Sequence, residues 1–99
     1  MDTYLITRRS GGWNSVDDIH EAAERSTRVG AEMPEEVNWI RSYITRNTAG
    51  ALGTVCVYEA TGPEALREHA ARALLPADEI VPVIDTVVVR ADPAGVGAK

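Results

Sequence analysis

Phenylalanine is absent from this 99-residue chain, cysteine occurs once, and two tryptophans and three tyrosines make up its aromatic content. With only five aromatics and no Phe, the core is expected to be built from Val, Ile, Leu and Ala, which suits thin layers of sheet and helix better than a body with a large pocket. The lone Cys56 rules out an intramolecular disulfide framework and accords with a reducing compartment. No apolar run approaches the roughly 18 residues of a membrane helix, and the first residues lack a charged region followed by an apolar core. The expectation is a soluble, cytoplasmic chain without a membrane partner. Clustered basic residues are missing too. The formal charge is −5 and the Arg pairs are scattered, whereas nucleic acid and anionic lipid require a concentrated positive surface. Cys-x-x-Cys, His-x-x-x-His, a P-loop and a Ser-His-Asp set are all lacking, so no compact signature of zinc, phosphate or acyl-transfer chemistry exists.

What is present has a clear order. Residues 3–9, TYLITRR, are rich in β-branched and aromatic side chains and run into Ser10-Gly11-Gly12, the pattern of a strand leaving into a turn. Ser15 then caps a helix whose first turn carries Asp17 and Asp18, whose inner stripe is Val16, Ile19, Ala23 and Ser26, and which Gly30 closes. Residues 37–46 and 52–60 flank a turn around Asn47–Gly50 and read as a hairpin. Thr61-Gly62-Pro63-Glu64 starts a second helix with a Thr-x-x-Glu capping box, ending before Pro76. Residues 79–89 read as a last strand, placed at an edge or bulge by Pro82.

This βαββαβ order predicts an α+β, ferredoxin-like sandwich with two helices on one face of a four-stranded antiparallel sheet. The domain spans residues 1–90, and 91–99 form a flexible C-terminal tail. Neither face of that sheet reads as polar. Trp39 and Tyr43 alternate with Ile40 and Ile44, and Val55 and Val57 alternate with Cys56 and Tyr58. Two helices cover one side only, and each large apolar side chain left wet forfeits roughly 1.5–3 kcal/mol of burial. A second copy is the symmetric cover, giving a homodimer through the sheet face, a dimeric α+β barrel.

Candidates for chemistry cluster in residues 55–70. His69, on the inner edge of the second helix, can meet Cys56 or Glu59, and imidazole, thiolate and carboxylate are all transition-metal ligands. It equally reads as an edge histidine bonded to a backbone carbonyl. Cys56 reads as a small buried hydrophobe or as a ligand. Tyr43 and Tyr58 can turn hydroxyls into a cavity or serve as half-buried strand residues. His20 sits among Asp17, Asp18, Glu21 and Glu24, a solvated acidic face.

The stretches WIRSYIT, VCVYEA, EALREHA, LPADEI and DDIHEAAERS resemble the small actinobacterial nickel-binding ferredoxin-like proteins, over residues 3–89. That resemblance implies a homodimeric barrel and bound Ni²⁺. Carried onto matching positions, it implies His69, Glu59 and His20 as metal ligands and Tyr43, Tyr58 and Cys56 as cofactor-binding residues. The hairpin loop RNTAGALG and the chain after Val89 depart from the family pattern. The alternative is a small-molecule enzyme of cyclase, isomerase or oxygenase type, with a cavity between helices and sheet and His69 moving a proton beside Tyr58 or Tyr43.

Overall fold

A computed structural model describes residues 1–9 and 11–93. Six elements follow in the order β1 (Asp2–Arg8), α1 (Val16–Glu32), β2 (Val37–Arg46), β3 (Leu52–Ala60), α2 (Pro63–Arg72) and β4 (Glu79–Pro82). The strands form one antiparallel sheet in the order β2-β3-β1-β4. That is the ferredoxin-like arrangement expected from the element order, with β2 and β4 at the edges. The residues of the expected tail beyond 93, and Ser10 of the expected turn, lie outside the described residues.

Period-2 alternation decides which side chains lie beneath the helices. Tyr4, Ile6 and Arg8 of β1 are buried while Thr3, Leu5 and Thr7 are half-buried; in β3, Thr54, Cys56, Tyr58 and Ala60 are buried while Val55, Val57 and Glu59 are not. The core joins these inward residues to Val29 and Met33 at the end of α1 and to Leu66 and Ala73 of the α2 segment. Sheet pairing sets the partners: Tyr4 faces Tyr58, and Arg8 faces Thr54.

One irregularity changes an expectation. Trp39 pairs with Tyr58, but Arg41 pairs with Val57, so Ile40 is an extra residue and β2 carries a bulge. A bulge shifts the alternation by one. Trp39 therefore joins the helix side with Tyr58, whereas Tyr43, opposite Val55, falls on the open side. The simple alternation that put Trp39 and Tyr43 on one face is corrected accordingly.

Three further corrections have local causes. β4 ends at Pro82, well short of the expected 89, because Val83 N–H bonds Thr3 O and β1 has almost no residues left to pair beyond that point. The remaining run has strand-forming side chains and no ladder. α1 passes through Gly30 to Glu32, where Met33 N–H bonds Gly30 O, and its buried stripe is Ile19, Ala22, Ser26 and Val29, with Val16 half exposed. Ser15 does cap it, accepting from Asp18 N–H at 3.3 Å. α2 starts at Pro63 after Gly62, without any side-chain cap from Thr61.

Candidate functional site

β1, β3, α1 and α2 bring four polar groups together, Arg8, Tyr58, Ser26 and His69. Tyr58 stands at their centre. Its ring stacks on Trp39 with centroids 6.0 Å apart and planes 11° from parallel, and meets His69 edge-on at 5.5 Å. Its hydroxyl lies 3.2 Å from Ser26 Oγ and accepts a long contact of 3.5 Å from Arg8 Nη2. Arg8 Nη1 donates to Pro76 O, and its guanidinium carbon lies 6.0 Å from the Tyr58 ring centroid. His69 Nε2 lies 3.1 Å from Ser26 O. Since a carbonyl only accepts, Nε2 carries the proton and Nδ1 holds the lone pair; Nδ1 is buried without a hydrogen-bond partner.

Burial sets the protonation of both aromatic groups. It raises Tyr58 above the ordinary phenol value of 10.0, with Ser26 and Arg8 pulling the other way, so the hydroxyl keeps its proton. It lowers His69 below 6.5, the bond to Ser26 O opposing and the charge of Arg8 adding to the fall. The network thus has one permanent cation, a neutral imidazole and two hydroxyls.

Beside the network lies a cleft of about 200 Å³ between α1 and the inner side of β2 and β3. Trp13, Trp39, Ile44 and Ile19 give it apolar walls; Arg8, Ser26, Thr54 and Tyr58 give it polar groups. On the edge strand β2, Trp39 is 36% and Ile44 40% exposed at the cleft.

The six residues expected at a site divide between the two sides of the sheet. Cys56 and Tyr58 line the cleft, and His69 packs against Tyr58 behind it. Cys56 is buried and its thiol donates to Thr54 Oγ1 at 3.5 Å. His20 lines the cleft too, from an exposed position on α1. Glu59 and Tyr43 belong to the open side. Glu59 accepts from Asn38 Nδ2 at 3.4 Å, and Tyr43 Oη donates to Asp92 at 2.7 Å, an acceptor it shares with Arg41 at 3.1 Å. Those hydrogen bonds hold Asp92 below the ordinary carboxylate value of 3.8. Arg8, which also lines the cleft, is not among the residues expected from the sequence. The signal was there in its spacing, two after Ile6 and four after Tyr4, which points it inward.

Metal-competent groups are present here, but they do not converge. The bare Nδ1 of His69 is a competent donor, yet among the described residues no three His, Cys, Asp or Glu side chains come close enough to hold an ion. The described residues of one chain therefore do not form a closed centre. No described helix is long and apolar enough to cross a membrane.

A family model described as nickel responsive protein, SCO4226-like, matches residues 4–83. Among solved structures, the crystal structure of SCO4226 from Streptomyces coelicolor A3(2) superposes with a TM-score of 0.70 at 22% identity, covering 86% of this chain and 99% of that one. At that identity the likeness bears on the fold. No curated protein matches.

Proposed function

The chain belongs to the SCO4226-like family of nickel responsive proteins, and from that membership we propose that it acts as a homodimer binding nickel or a similar divalent transition metal. The match across residues 4–83 is the observation that carries this reading. Of the two histidines, His20 is exposed on α1 while His69 is 1% exposed. A hydrated cation reaches the first directly, whereas the second is nearly covered, at the wall of a separate pocket with Gly30, Asn38 and Trp39. His20 therefore supplies the ligand that captures the ion, and a second protomer or water completes its shell. Exposure of Ile84 at 96%, Val87 at 89% and Val89 at 81% supports the dimer, since such side chains are ordinarily covered by a partner.

Calorimetric titration of tag-free protein with Ni²⁺ tests the metal. A saturable isotherm is expected for the unaltered chain, weakened at least about tenfold in His20→Ala, since losing even an outer-shell partner of a ligand costs about that much. Heats that stay the same in His20→Ala, or no binding at all, overturn the assignment.

A further inference from the structure

Arg8 is the most deeply buried charge among the described residues, 2% exposed, and it lines the cleft between α1 and the sheet. Guanidinium stays charged at every accessible pH and offers five donors. Here one nitrogen bonds Pro76 O and another makes a long contact with Tyr58 Oη. Among the described residues no Asp or Glu forms an ion pair with it. A buried cation is costly unless opposite charge replaces its lost hydration, and the two neutral acceptors found here offset that cost only in part. Such a group in a cleft wall is a place where an anion is favoured.

The rest of the cleft defines which anion. Its walls are aromatic and aliphatic, with Trp13 and Trp39 among them, and Tyr58 keeps its proton and so donates. A single cation suits a single negative charge; a phosphate dianion would bring more charge than one guanidinium offsets in these apolar surroundings, in a chain that already carries −5. The volume of about 200 Å³ lies below the roughly 300–1,000 Å³ of sites for drug-sized ligands. We propose that the cleft binds a small monocarboxylate with a flat apolar body, its carboxylate on the Arg8 guanidinium and its body between the tryptophans. Carboxylate binding does not depend on the metal reading, although His20 lines the same cleft, and the titrations therefore exclude nickel.

Both tryptophans of the chain line the cleft, so their fluorescence reports occupancy. The full chain, in buffer free of nickel, is titrated with benzoate and with the neutral isostere benzamide. The expected result is a saturable change with benzoate and binding about tenfold or more weaker with benzamide, the share of a charge-assisted contact. Arg8→Gln, which keeps an amide donor for Pro76 O, is expected to lose the preference for benzoate. Ala23→Phe, filling the cleft from a half-buried position on α1, is expected to abolish benzoate binding while the thermal transition remains cooperative. If Arg8→Gln does not fold, the ligand pair on the unaltered chain and Ala23→Phe still decide. Equal response to benzoate and benzamide, benzoate binding undiminished in Ala23→Phe, or no saturation by about 10 mM overturns the proposal.

Discussion

His69 and Tyr58 share one polar knot, but they respond to pH in opposite senses. Burial and the nearby Arg8 charge keep the folded imidazole neutral to lower pH than the ordinary 6.5. Folded His69 thus refuses a proton that the unfolded chain accepts. Stability is unaffected by this group well above 6.5, and falls as pH drops through 6.5 toward the folded value. The slope is at most about 1.4 kcal/mol per pH unit for one proton. Urea unfolding between about pH 7.5 and 5.5, above most carboxylate titration, is expected to show this decline in the unaltered chain. His69→Gln, whose amide can still donate to Ser26 O, is expected to flatten it. Equal slopes for the two proteins would remove His69 as the cause. The same residue illustrates what a linear text conceals. Its bond to a backbone carbonyl was one of two readings available from the sequence, whereas its partner Ser26 is 43 positions away, and only the packing of α1 over α2 chooses it.

The elements themselves were legible where their signals are local. β2 and β3 occupy the expected 37–46 and 52–60 because hairpin strands are bounded by their own turn. β4 was overread, since strand-forming side chains need a neighbouring strand to pair with and β1 ends too soon. The bulge at Ile40 escaped for a related reason: it is a relation between two strands, not a property of either. Of the candidate site, alternation in β3 turns Cys56 and Tyr58 toward the helices, whereas Glu59 and Tyr43, which the family resemblance groups with them, lie on the other side of the sheet. Helix starts give a direct test of local against tertiary control. Ser15 and Thr61 looked like equivalent caps, yet only Ser15 accepts a backbone N–H, from Asp18. Chemical denaturation is expected to show Ser15→Ala losing about 1 kcal/mol and Thr61→Ala staying within roughly 0.5 kcal/mol. A larger loss at Thr61 than at Ser15 would contradict the cap assignment.

At the scale of the whole molecule, the uncovered apolar surface opposes a solitary existence. Tyr43 at 42% and Val81 at 38% exposure lie on the side of the sheet away from the helices, and the chain after β4 adds Ile84, Val87, Val88 and Val89, each at least 75% exposed. Asp92 brings the end of that chain back to β2 through Arg41 and Tyr43, so both edges of the sheet are tied to the same stretch. Residues 84–89 have strand-forming composition and no strand to pair with, and the proposed second copy would supply both a ladder and an apolar cover. Burying a valine or isoleucine of this kind contributes roughly 1.5–3 kcal/mol, so two carboxylates placed there should undo the association without touching the core. Light scattering at low micromolar concentration is expected to give about twice the 10.7 kDa chain mass for the unaltered protein and the single-chain mass for Ile84→Asp with Val88→Asp. Far-UV circular dichroism should remain unchanged, because neither side chain packs inside one protomer. A folded unaltered chain at 10.7 kDa, or a double variant that stays dimeric, would show that these side chains are not the seam, and would leave their exposure to be explained by a different partner.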